Sequence, residues 1–192
     1  MSLLLVTITS CNKAGSSEDP SIQNSLKALT GTMYYQWADE GVFALIPRDL
    51  HKNIFLPDDI HRNAWHISRN GKLLLQCMDS PDQDYDAYLF TIKNTIDKSL
   101  VSQFKYYPTN GSTQTAIGHL SFDGSKIAVD PTFDDGIVVL DQQGHELQHL
   151  EFINGEKISG EPIWMPDNTL LFAHKNLLRK KAVKPLAFSR GI

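Results

Sequence analysis

Only two cysteines occur in 192 residues, which excludes a disulfide framework. No apolar run nears the roughly 20 residues that a membrane-spanning helix needs. Neither sign of charge dominates: 18 Lys and Arg stand against 22 Asp and Glu, a formal net charge of −4. With a pI near 5.9, that balance removes the electrostatic case for nucleic acid or an anionic membrane surface. Catalytic signatures are missing too. There is no Gly-x-Ser-x-Gly elbow, no recognisable Ser/His/Asp order, no phosphate-cradling glycine loop and no dinucleotide fingerprint. No catalytic, cofactor-binding or metal-ligating residue is therefore assigned, and no cofactor is expected. From Gly31 to His174 no segment carries a helical period.

What the chain does contain is a recurring hairpin. Trp65-His-Ile-Ser-Arg-Asn-Gly-Lys-Leu-Leu-Leu, His119-Leu-Ser-Phe-Asp-Gly-Ser-Lys-Ile-Ala-Val and Ile163-Trp-Met-Pro-Asp-Asn-Thr-Leu-Leu-Phe each read as strand, tight polar turn, strand. The turns at Asn70-Gly71 and Asp123-Gly124 are strong hairpin signals, because both residue types accept positive φ. Around the first hairpin, strands are expected at Ala64–Ser68, Lys72–Met78, Ala87–Ile92 and Leu100–Phe104. The same order returns at Gly118–Phe122, Lys126–Asp130, Ile137–Leu140 and Glu146–Phe152. A third hairpin starts at Pro162–Met165 and continues in Thr169–His174. Upstream, Thr32–Trp37 and Val42–Ile46 flank the turn Ala38–Gly41, and Asn53–Leu56 adds an outer strand. The second strands are spaced by about 54 and then about 43 residues, near the 40 to 50 of a propeller blade. The fold class is therefore all-β: a partial β-propeller of four-stranded antiparallel blades, with about three blades' worth of strands. Trp65, Phe122 and Trp164 are expected to fill the space between blades.

The pattern of Asp or Asn followed by Gly, an apolar strand, a loop and a strand ending in Leu-Asp resembles the blades of TolB-like propellers, of the WD40-like or PD40 type. The best match is Leu120-Ser-Phe-Asp-Gly-Ser-Lys-Ile-Ala-Val129, then Gly136-Ile-Val-Val-Leu-Asp141, then Gly144 and Leu147-Gln-His-Leu150. The resemblance covers about Tyr34 to His174. It implies a fold rather than a chemistry, since such propellers serve many roles.

At the N-terminus the apolar run Leu3-Leu-Leu-Val-Thr-Ile-Thr-Ser ends at Cys11. A small residue directly before cysteine resembles a bacterial lipobox, in which that cysteine is lipidated. This divides the chain into a lipoprotein-type signal remnant at 1–11, a flexible tether at 12–30, propeller blades at 31–176 and a basic tail at 177–192. That tail stands where a further blade is expected, which a truncated gene product would explain. By this reading Cys11 is the lipidation site and the only membrane contact. The protein is exported to the periplasm or outer membrane. Cys77, in an apolar run, reads as a small core residue.

Two polar groups invite a metal reading. Asp82, Asp84 and Asp86 alternate within the loop Asp79–Asp86, so an extended segment would align their carboxylates, but the spacing lacks the full ligand set of a calcium loop. His51, His61 and His66, and likewise His119, His145 and His149, match no zinc spacing. The function expected is a non-enzymatic binding or scaffolding module of the bacterial envelope, presenting loops near a central channel to a protein or peptide partner. The alternative is the propeller domain of a larger enzyme: a prolyl-oligopeptidase-like serine peptidase, or an oligouronate lyase.

Overall fold

The computed structural model describes residues 20–82, 84–108, 116–131, 136–153, 155–158 and 161–172. The stretch read as a signal remnant, with Cys11, the first part of the stretch read as a tether, Asp134, Asp135, His174 and the basic tail lie outside the described residues. Two compact units are distinguished, one ending at Asp59 and one beginning at Ile60.

In the first unit a short helix α1 (Pro20–Lys27) falls inside the stretch read as tether. Strands β1 (Met33–Trp37), β2 (Gly41–Ile46) and β3 (His51–Leu56) then form an antiparallel sheet in that order. The expected hairpin is present, with Met33 opposite Leu45 and Trp37 opposite Gly41. Gly41 is required there. Its φ is +104°, and a Cβ would lie 2.3 Å from the Leu56 carbonyl oxygen. Pro47 ends β2 and opens a 3-10 turn, Pro47–Asp49. Tyr34 meets Phe55 edge-on at 4.8 Å, and Lys52 Nζ sits 3.9 Å over the Phe43 ring.

The second unit holds two four-stranded antiparallel meanders. One runs β4 (Arg62–Ile67), β5 (Leu73–Asp79), β6 (Tyr88–Asn94), β7 (Leu100–Tyr106). The other runs β8 (Ala116–Leu120), β9 (Lys126–Pro131), β10 (Ile137–Asp141), β11 (Glu146–Leu150). Two hairpins follow: β12 (Phe152–Ile153) with β13 (Glu156–Lys157), and β14 (Ile163–Trp164) with β15 (Leu170–Leu171). The strand expected over Glu146–Phe152 is thus broken at Glu151. Phe152 leaves β10 and pairs with Lys157 instead.

Period two explains how these sheets pack. On β8 to β10, one face carries Ala116, Leu120, Ile127, Val129, Val138 and Leu140. All are buried against Leu75, Cys77, Phe90 and Ile92 of the preceding meander. The other face carries Ala128, Ile137 and Val139, buried against Ile158, Trp164 and Leu170. A sheet covered on both faces needs nearly continuous apolar strands, and Ile137-Val-Val-Leu140 is one. Gly118 lies against the preceding meander without room for a side chain. A Cβ there would stand 2.7 Å from Leu75 Cδ2, 3.1 Å from Phe90 Cε2 and 3.2 Å from Ile127 Cγ2. Gly118→Ala is therefore expected to cost about 1–3 kcal/mol by overpacking, read from the urea midpoint. An unchanged midpoint would mean the meanders stand further apart.

The repeated turns are built alike and tied together. In the first, Ser68 Oγ donates to Asn70 Oδ1 at 2.8 Å and accepts from Leu73 N–H at 2.9 Å. In the second, Ser121 Oγ donates to Asp123 Oδ1 at 2.8 Å and accepts from Lys126 N–H at 3.0 Å. Asn70 N–H reaches the Phe122 carbonyl at 3.4 Å, and Asn168 Nδ2 donates to Asp123 Oδ2 at 2.9 Å. Corresponding turns of three successive repeats are thereby stitched side by side, as they must be around a common axis. Burial works against the Asp123 carboxylate, but donors from Ser125, Ser121 and Asn168 prevail and hold it at about 2.

Of the three aromatics expected between blades, only Trp164 belongs to the buried core. Trp65 is opposite Gln76 and so lies on the other face of its sheet from Leu75 and Cys77. Phe122 is half-buried in a turn. Phe90, Tyr88, Tyr106 and aliphatic side chains form the core between the two meanders. No described helix is long and apolar enough to cross a membrane.

Candidate functional site

The first strands of the three repeats, β4, β8 and β14, come together and enclose a cleft of about 230 Å³. His66, Ile67 and Arg69 line it from the first repeat, His119 and Leu120 from the second, and Glu161 to Trp164 from the third. His66 Nδ1 accepts the Leu120 backbone N–H at 3.1 Å, so the neutral ring carries its proton on Nε2. The His66 and His119 rings meet edge-on at 5.4 Å. Trp164 Nε1–H donates to the His119 carbonyl at 2.8 Å, fixing the third repeat to the second. His119 Nε2 is buried and has no hydrogen-bond partner among the described residues.

Electrostatics at the cleft are governed by burial. Burial, and then the charge of His119, hold His66 down to about 4. Burial lowers His119 as well, with Glu161 opposing. Asp130 is opposite Ile117 in the β8–β9 pairing, which puts it on the same face as His119. Burial, and then Glu161, push its carboxyl up to about 6. At neutral pH both imidazoles are neutral while Asp130 is mostly ionised.

These shifts set opposite pH terms. Asp130 has a folded pKa above its unfolded value near 4, so it adds stability in acid and costs stability as pH rises from about 4 through 6. His66 has a folded pKa below its unfolded value near 6.5, so its contribution is complete above that pH and is lost as pH falls toward 4. Asp130→Asn is expected to raise stability at pH 7.5 by roughly 1 kcal/mol, after allowance for the half of the group that stays in water. The gain vanishes below about pH 4. In that variant the His66 and His119 terms are no longer offset by Asp130, so stability falls faster than in the wild type between pH 6.5 and 4. Thermal melts across this range check both statements.

The other groups singled out in the sequence do different work. Asp82 and Asp84 do converge, but on the Lys105 ammonium, at 2.5 and 3.2 Å. Tyr107 Oη donates to Asp84 at 2.9 Å, and Asp86 is exposed. A cation of the chain itself thus holds the carboxylates that a calcium ion would need. His61 pairs with Asp79 at 3.5 Å, His145 with Asp141 at 2.9 Å, and His149 with Glu151 at 3.8 Å. Among the described residues no three His, Cys, Asp or Glu are grouped to hold a metal. Cys77 is fully buried and its thiol is pushed up to about 12 by burial, which a hydrogen bond to the Gly118 backbone only partly offsets, so it behaves as a core residue. His66 and His119, which the sequence reading kept in separate sets, are the pair that the fold unites.

Successive four-stranded meanders, packed face to face with their first strands converging, define a partial β-propeller. No family model matches this chain, and no curated protein does. Solved structures do. Oligogalacturonate lyase from Vibrio parahaemolyticus aligns at 12% identity and a TM-score of 0.50, over 81% of this chain and 50% of that one. Dihydro-heme d1 dehydrogenase NirN aligns at 15% identity and a TM-score of 0.49, over 77% of this chain and 30% of that one. TolB from Acinetobacter baumannii aligns at 17% identity and a TM-score of 0.29, over 68% of this chain and 43% of that one. The chain thus spans half or less of these proteins. The likeness to the lyase is one of fold, and that fold is the propeller which the TolB-like repeat pattern implied.

Proposed function

We infer that this chain is a binding module of the bacterial envelope that receives a protein or peptide segment in the cleft between its first strands. The observation that carries this reading is the make-up of the cleft. Its walls come from three successive repeats. It combines apolar surface from Ile163 and Trp164 with His66, His119, Arg69 and Glu161 at its polar positions. A few convergent polar groups on a rigid apolar wall are what a recognition pocket requires. Peptides selected by display against the full chain should bind one to one by calorimetry. Ile163, 58% exposed at the cleft, should be needed for it. Ile163→Asp is expected to weaken binding at least about tenfold without lowering the melting temperature. Binding indifferent to that change would place the contact elsewhere.

Anchoring belongs to the same reading. Cys11 is the lipidated residue, and the chain is held at the membrane through it alone. Mass spectrometry of the membrane fraction should find a diacylated N-terminal cysteine, and Cys11→Ser should release the protein to the soluble fraction. An unmodified Cys11 in membrane-bound protein would contradict the anchor.

A further inference from the structure

β8 is the edge strand of its meander. Ser121 N–H bonds to the Lys126 carbonyl, so the N–H one residue earlier, that of Leu120, points the other way, off the open edge of the sheet. Leu120 is buried, and a buried backbone N–H needs an acceptor. It is supplied by the preceding repeat: His66 Nδ1, at 3.1 Å. His66 is opposite Leu75, on the face of β4–β5 that packs against the second meander. One imidazole nitrogen thus joins the first strands of two repeats. That acceptor is lost once the ring is charged, because both nitrogens of an imidazolium are donors.

We propose that His66 is an acid-sensitive tie between the first two repeats: protonation of Nδ1 releases the Leu120 N–H, sets two donors against each other and loosens the cleft, which then gives up its occupant. Release of an occupant rests on the cleft being the binding site, whereas the tie itself does not. The groups described around the ring resist its charging on balance. His119 on β8 meets it edge-on at 5.4 Å, and Arg69 lines the cleft from the turn after β4. Glu161, ahead of β14, is the one anion among the described lining residues. Asp130 of β9 shares the face of His119 and does not line the cleft, and β5 faces the ring with the apolar Leu75. Burial, and then His119, hold His66 down to about 4. The bond is therefore complete above about pH 6 and is lost as pH falls through 4.

The test is an NMR titration of the full chain from neutral pH down to about pH 3, following the His66 ring nitrogens and the Leu120 amide proton. The Leu120 signal is expected to move upfield with the same midpoint as His66 protonation, near 4. His66→Asn offers an acceptor oxygen that does not titrate, so its Leu120 signal should stay still, while Asp130→Asn should leave the transition in place. The wild-type titration decides the matter even where His66→Asn does not fold. A Leu120 signal that stays still while His66 protonates would overturn the tie, as would equal movement in His66→Asn or loss of the whole amide spectrum before Leu120 moves. Affinity is measured with a display-selected peptide free of His, Asp and Glu. Between pH 6 and 3 the wild type should lose about tenfold, since a group titrating at about 4 is roughly nine-tenths charged one pH unit lower. His66→Asn, whatever its affinity at pH 6, should lose much less. An affinity indifferent to pH while Leu120 moves would overturn control of the cleft. No peptide binding at any pH, with Leu120 following His66, would leave the tie standing and overturn the binding module.

Discussion

Phe90→Ala is expected to lower stability by about 3–5 kcal/mol, a large part of the roughly 5–15 kcal/mol that holds a domain folded. Phe90 is fully buried on β6. Its ring lies 5.5 Å from Phe104 and 5.4 Å from Tyr106 within its own meander. Across the interface it reaches the space above Gly118, where any Cβ would stand 3.1 Å from Cε2. Both sheets lean on this ring, so its removal leaves a cavity that neither backbone can close without breaking its pairing with the next strand. Phe90→Leu, which keeps most of the volume, should cost less than half as much. Urea denaturation of the three proteins measures the series. A loss below about 1 kcal/mol for the alanine variant would mean that the ring is not enclosed between two sheets.

Trp164→Ala should cost about 3–5 kcal/mol as well, for a different reason. Trp164 is 5% exposed and belongs to the cluster of Ala128, Ile137, Val139, Ile158 and Leu170 that covers the second face of the β8–β11 meander. It also donates its indole N–H to the His119 carbonyl. Trp164→Phe separates the two contributions. It keeps most of the apolar contact and removes the indole hydrogen bond to that carbonyl, an expected loss of about 1–2 kcal/mol. The β14–β15 hairpin has only two pairs of facing residues, Ile163 with Leu171 and Trp164 with Leu170, so most of its stability comes from this anchor. Amide exchange at Leu170 should accelerate in the alanine variant beyond the global loss. Protection retained at Leu170 would show that something other than Trp164 holds the hairpin.

The turns were the most legible part of the sequence. Asn70-Gly71 and Asp123-Gly124 announced reversals because the second residue of each needs positive φ, and the glycines adopt +73° and +79°. Strand ends were less legible, because a partner strand decides where pairing stops. β7 runs on to Tyr106 since Tyr88 of β6 is there to pair with it. The break after Leu150 was missed because the apolar pattern continues through it. The usable cue was Asn154-Gly155, where Gly155 takes φ +79°. Helix α1 has eight residues, too few for its period to stand out from a polar stretch.

The cleft was legible in principle. When the repeats are aligned on Ser68 and Ser121, His66 and His119 occupy the same repeat position, and Ile163 takes that place in the third repeat. All three line the cleft. Reading histidines by their spacing along the chain hid this, because a repeat fold brings together equivalent positions rather than neighbours. The aromatics misled for the same reason. Trp65 and Phe122 are not equivalent positions, and an extended strand turns alternate residues to opposite faces.

The packing of one four-stranded meander on the next is tested most directly by NMR on the full chain, through nuclear Overhauser contacts between protons of the two sheets. Cross-peaks are expected from the Gly118 α-protons to the Phe90 ring and to a Leu75 methyl, and between Leu75 and Ile127 methyls. Strong peaks within β5–β6 and within β8–β9, with none joining the two sets, would contradict face-to-face blades.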